Sequence, residues 1–353
     1  MSTPSVVLER FPLGMQWPTV DPFLFCAHHH DQYPAGNDEL APAVPVTGRH
    51  IGSDFSAKDG WSMYHGAIVP GFPQHPHRGF ETVTYLRAGY VDHADSLGAT
   101  ARFGPGDAQW MTAGAGVQHA EMMPLVNRDA PNFLHLFQIW LNLPAANKMA
   151  RPAFKMFWAE DIPIVRHVDT AGRVSEVHVV AGRLGEAEAV APPPASWAAD
   201  SANDVAIWQV DMEPNAEWVL PAGRPGSSRV LYFYDGSSLE LPDTAEQLTG
   251  GEGALLPPDL EVRLVAGDQP AGLVILHGRP IGEPVAQYGP FVMNTQAEVE
   301  QAFADYQRTQ FGGWPWPSPD PNHGRDAGRF AIDTDGMRHE PPLVGIDPAT
   351  ATS

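Results

Sequence analysis

The sequence is poor in cysteine. Cys26 is its only one in 353 residues, so no intrachain disulfide can form and a disulfide-stapled scaffold is excluded. Positive charge is scarce too. Lys and Arg number 21 against 42 Asp and Glu, a formal net charge of −21. Such a surface repels phosphate backbones and anionic lipid headgroups, which argues against direct nucleic-acid or membrane binding. No apolar run approaches the roughly 18 residues that a bilayer-spanning helix needs. The opening MSTPSVVLERFPLG has no basic segment leading into an apolar core, so it does not read as a signal peptide, and a cytoplasmic protein is expected. Helical periodicity is also rare.

What the sequence has in abundance is Gly (34) and Pro (36), together about a fifth of the chain. Many turns between short elements predict β structure. Residues 1–60 read as irregular, broken by Pro12, Pro18 and Pro22. From about 61, short apolar or alternating runs lie between turn residues: Glu81–Leu86, Ala99–Phe103, Ala108–Met111 and Leu134–Leu143. These predict strands of a sandwich or barrel. Residues 144–166 read as a connection. A second set follows at Glu176–Val180, Val205–Val210, Arg229–Tyr234, Glu261–Val265 and Leu273–Leu276. Two strand-rich halves of similar size predict two β domains. The one helix begins at Thr295, with Glu298 three residues on as a capping box, and ends near Gly312 and Gly313. Val299, Phe303 and Tyr306 are its expected buried stripe. The Pro-rich remainder, 313–353, lacks periodicity and reads as a poorly ordered or surface-draped tail.

The sharpest chemical signal is a pair of short spacings. His75 and His77 stand at i and i+2 around Pro76, and on extended backbone they share a face. His119 and Glu121 repeat that spacing later in the chain. If the two stretches lie side by side across a barrel, four ligands converge. Three neutral imidazoles and a carboxylate suit a borderline divalent ion and leave room for water or substrate on a six-coordinate metal. Glu81, four residues after His77, is a rival carboxylate. His28, His29 and His30 cannot all reach one ion because successive side chains alternate faces, so the run reads as an exposed loop. His178 and His277 are single histidines in strand-like runs and read as structural.

The segments HPHRGFETVTY (75–85), DSLG (95–98), GDAQWMTAGAGVQHAE (106–121), DPFL (21–24), QIWLNLP (138–144), and GRPIGEP with GPFVMNT (278–295) resemble the pirin family, over about residues 10 to 312. The resemblance implies an all-β bicupin of two jelly-roll barrels with a short C-terminal helix. An N-terminal metal-binding cupin would occupy 1–160, a metal-free cupin 161–312 and the tail 313–353. It implies a metal, iron(II) first with manganese, nickel, copper or zinc as alternatives, on His75, His77, His119 and Glu121. It favours Glu121 over Glu81 and gives Glu121 a second role as catalytic base. The implied activity is a quercetin 2,3-dioxygenase-like reaction of a flavonol with O₂. The alternatives are a metal-dependent protein partner of a transcription regulator or metabolic enzyme, in which Arg78 could signal metal state, and a purely structural metal.

Overall fold

A computed structural model describes residues 6–244 and 246–342. The first barrel is two six-stranded sheets. One runs, in spatial order, Ala153–Phe157, Ala108–Thr112, Phe80–Ala88, Asn132–Asn142, Phe23–Tyr33 and Gln16–Trp17. The other runs Arg338–His339, Phe330–Ile332, Thr100–Phe103, Val91–Asp95, Val117–Met122 and Gly71–His77. The second barrel pairs a seven-stranded sheet, which includes Val174–Ala181, Ala206–Met212, Ser228–Asp235 and Ala271–Gly278, with a four-stranded one. The protein is an all-β bicupin. We propose that the boundary between the barrels lies near residue 160, where consecutive strands change sheets. One strand crosses that division: Glu9–Pro12 pairs with Glu252–Leu256 and forms an edge of the second barrel's sheet.

The barrels are joined by a shared apolar core. Trp17, Val83, Trp110, Phe137 and Ile139 from the first pack in one cluster with Ile207, Tyr232, Val274 and Leu276 from the second. Apolar burial of this kind is the main favourable term in association, so the two halves hold together as a unit.

Two expectations need correction. Phe23–Tyr33, expected within an irregular region, is an eleven-residue strand hydrogen-bonded to Asn132–Asn142 along nearly its whole length. The His28–His30 run is therefore sheet, with His29 buried and His30 exposed. The described part of the tail, 313–342, is built into the first barrel. Phe330–Ile332 pairs with Thr100–Phe103. The buried Arg102, paired at 2.7 Å with Asp92, donates to the carbonyls of His323, Gly324 and Ala327. Trp316 donates to the Asp95 carbonyl, and the Gln74 amide donates to that of Pro319. That last contact covers the open edge of Gly71–His77, which would otherwise present unpaired backbone groups. Residues 343–353 of the expected tail lie outside the described residues. Among the described residues no helix is long and apolar enough to cross a membrane.

The helix spans Gln296–Thr309. Thr295 accepts from the Glu298 amide, and the Glu298 carboxylate accepts from the Thr295 amide, a complete capping box. Val299 and Ala302 are its buried residues, while Phe303 and Tyr306 are half-buried. The Phe303 ring packs on Phe291 at 4.7 Å and Tyr288 at 5.8 Å. Losing a half-buried ring should cost about 1–3 kcal/mol, less than the roughly 3–5 kcal/mol of a fully buried one. Phe303→Ala is thus expected to lower the melting temperature by several degrees; a parental melting curve would show that the helix is not docked.

Candidate metal centre

Gly71–His77 and Val117–Met122 are antiparallel neighbours in which His75 lies directly opposite His119. A register shift between Phe72 and His75 bulges the first strand and takes in Pro73, while Pro76, opposite Gln118, lies on the edge strand of its sheet; a bulge and a sheet edge are the places where a missing ladder donor is tolerated. Gly71 lies at positive φ (138°), and a Cβ there would meet the Glu121 carbonyl oxygen at 2.5 Å. Only glycine lets the backbones approach so closely.

The ligating atoms of His75, His77 and His119 all lie within 4.8 Å of one another. Their ring centroids are 4.8 Å (His75–His77), 4.3 Å (His75–His119) and 4.9 Å (His77–His119) apart. His75 Nδ1 is 2.8 Å from the Pro73 carbonyl, and His77 Nδ1 is 3.4 Å from that of Pro290. A carbonyl only accepts, so each Nδ1 carries the proton and each Nε2 is left with a lone pair. His119 is wholly buried and neither of its ring nitrogens has a hydrogen-bond partner. Buried polar atoms are nearly always satisfied. A cation between the three rings would satisfy His119, so the residues present fit a metal. Burial holds His75 down at about 4 and drives His77 and His119 well below the usual imidazole range, which keeps all three neutral, as ligands must be.

Glu121 Oε2 stands 3.9 Å from His119 Nε2. The facing sheet holds its carboxylate: Thr84 Oγ1 donates to Oε1 at 3.0 Å and Gln138 Nε2 donates to Oε2 at 2.7 Å. Burial pushes its pKa up. Glu81 is elsewhere. It is fully buried, accepts from Thr112 (2.6 Å) and Ser196 (2.5 Å), and does not line the cavity beside the histidines. Desolvation raises its pKa to about 7. The structure therefore brings the ligating atoms of His75, His77 and His119 together, sets Glu121 beside His119 but outside that three-residue cluster, and leaves Glu81 apart.

That cavity, about 500 Å³, lies between the sheets. Phe25, Phe55, Phe72 and Trp140 form much of its wall, with His75, His77 and Glu121 on one side. Arg78 is buried, donates to the Ala115 carbonyl and pairs with Asp305 of the helix at 2.9 Å. The sequence reading missed Thr84, Gln138 and His93. His93 lies opposite Glu121 in the neighbouring strand, with its ring 5.6 Å from His119 and stacked on Phe154. Its i, i+2 spacing to Asp95 was the available signal. Among the single histidines, His277 is buried and bonds Asp204 at 2.6 Å, while His178 stands 3.7 Å from Asp211.

Comparison with known proteins gives two family matches, described as Pirin over residues 7–141 and as Pirin C-terminal cupin domain over 207–312. A Pseudomonas aeruginosa protein provisionally named quercetin 2,3-dioxygenase is 39% identical over 249 residues, covering 68% of this chain and 79% of its own length. Human pirin is 34% identical over 253 residues, covering 70% of this chain and 80% of its own. A crystal structure described as quercetin 2,3-dioxygenase from Acinetobacter baumannii superposes with a TM-score of 0.67 at 26% identity, covering 87% of this chain and 98% of that one.

Proposed function

The chain belongs to the pirin family, and from that premise we propose that it is a metal-dependent dioxygenase of flavonols such as quercetin, with iron(II) held by His75, His77, His119 and Glu121. The observation that carries this reading is the placement of three converging neutral imidazoles and a braced carboxylate at the side of an aromatic-walled cavity. At about 500 Å³ it falls in the range of about 300–1,000 Å³ that small-molecule sites occupy. The quercetin dioxygenase named among the structural neighbours supports the same substrate class.

Bound there, iron would supply a cationic charge that acidifies a phenolic hydroxyl and a redox centre for O₂ chemistry. The rest falls to the chain. Phe25, Phe55, Phe72 and Trp140 offer ring faces and edges to a flat polyphenol and exclude water. Glu121 takes the proton of the 3-hydroxyl on a carboxylate oxygen, a transfer favoured by the desolvation that raises its proton affinity. Thr84 and Gln138 hold that carboxylate in position throughout. In the overall reaction one O₂ is consumed, the central ring opens and carbon monoxide leaves. The test is reconstitution with Fe(II), Mn(II), Ni(II), Cu(II) or Zn(II) under nitrogen, addition of quercetin, then admission of air. Loss of flavonol absorbance with stoichiometric carbon monoxide is expected for the iron form. Unchanged quercetin in every metal form would overturn the reading in favour of a metal-dependent protein partner.

A further inference from the structure

A second histidine cluster lies on the opposite face of the strand Phe23–Tyr33. His28 and His30 stand at i and i+2, and His135 of Asn132–Asn142 lies directly opposite His30. This repeats the plan of the first centre, where His75 and His77 share a strand and His119 lies opposite His75. We propose that His28, His30 and His135 form a second site for a borderline divalent ion such as zinc, nickel or copper, at the seam between the barrels.

Three observations support it. His28 Nε2 and His135 Nε2 are 3.0 Å apart, so the two nitrogens share at most one proton between them and at least one lone pair faces the other ring. The ring centroids are 5.0 Å (His28–His135), 5.2 Å (His30–His135) and 5.8 Å (His28–His30) apart. A tetrahedral ion holds imidazole nitrogens about 2.1 Å away, which sets ring centroids about 5 Å from one another. The cluster also opens into a cavity of about 470 Å³ lined by both barrels, through which an ion can enter. Arg87 lines the same cavity, and Asp211 neutralises it at 2.7 Å. Only the first cluster has all three nitrogens already within 4.8 Å of one another; the second needs His30, an exposed side chain, to turn toward its neighbours. The ion would therefore arrive last and exchange with solvent, unlike one buried at His119.

The test uses untagged full-length protein, stripped of metal and dialysed to equilibrium against a fixed zinc concentration, with bound zinc counted by elemental analysis as the excess over the dialysate. His75→Ala/His119→Ala protein is expected to retain one equivalent, and adding His28→Ala and His135→Ala should remove it. If the content is the same with and without the last two changes, the site does not exist. If the quadruple variant does not fold, His30→Ala in the His75→Ala/His119→Ala background serves instead. It should keep its circular dichroism and lose at least tenfold in zinc affinity; unchanged affinity overturns the proposal. A tetrahedral cobalt(II) absorption band, present with His30 and absent without it, gives an independent readout.

Discussion

Replacing His75 and His119 together by alanine is expected to strip the first centre of iron almost completely. The two residues face each other across one strand pair, so their loss takes two of four candidate ligands and leaves His77 and Glu121 on separate strands. Changing only an outer-shell hydrogen bond to a ligand costs about 10–100-fold in metal affinity, so losing two ligands should cost far more. Glu81→Gln is the control. Its carboxylate is tied to Thr112 and Ser196 away from the cavity, and iron content should stay near the parental value. Elemental analysis after iron loading decides between them. Full iron in the double variant, or loss in Glu81→Gln alone, would remove the assignment.

The second large effect is expected at Glu121. Glu121→Gln keeps the shape and can still bond Thr84 and Gln138, but it neither accepts the flavonol proton nor offers an anionic ligand. Removing a general base costs roughly a hundredfold or more in rate. The reading requires that loss to persist in excess iron, where weakened metal binding is compensated, and single-turnover decay of the flavonol absorbance measures it. Gln138→Ala should show a smaller loss, because it frees one carboxylate oxygen without removing the base. If Glu121→Gln regains parental turnover once iron is saturating, Glu121 is a ligand only.

Much of this was legible in the chain because the strands obey simple rules. Glu81–Leu86, Ala108–Met111 and Leu273–Leu276 are apolar or alternating runs bounded by turns, and each lies within an observed strand. The i, i+2 histidines were readable because extended backbone forces them onto one face. Phe23–Tyr33 was not readable, for a physical reason. Its two faces border two cavities, one holding His29 and the other His28 and His30. Neither face is uniformly apolar, so the alternation that marks a half-buried strand is missing. The tail strands are three and two residues long, too short for periodicity, and a buried Arg102 fixes the segment leading into them through backbone carbonyls. Gln138 and Thr84 reach Glu121 only because the barrel closes sheet on sheet, a proximity that no local spacing encodes.

The N-terminal strand Glu9–Pro12 sets an order of events during synthesis. It leaves the ribosome ahead of every strand of the first barrel, yet its partners belong to the second: Val6, just ahead of it, donates to Glu246, 240 residues away. The segment must therefore wait, unpaired, while the first barrel's strands emerge. Contacts that distant in sequence form slowly because a long loop must close before they yield anything. The nascent chain is thus expected to hold a free strand while the whole first set of strands emerges, and to lock the two barrels together only when Glu252–Leu256 has emerged. Pulse proteolysis of stalled chains would show Glu9–Pro12 protected only in those that extend past that strand.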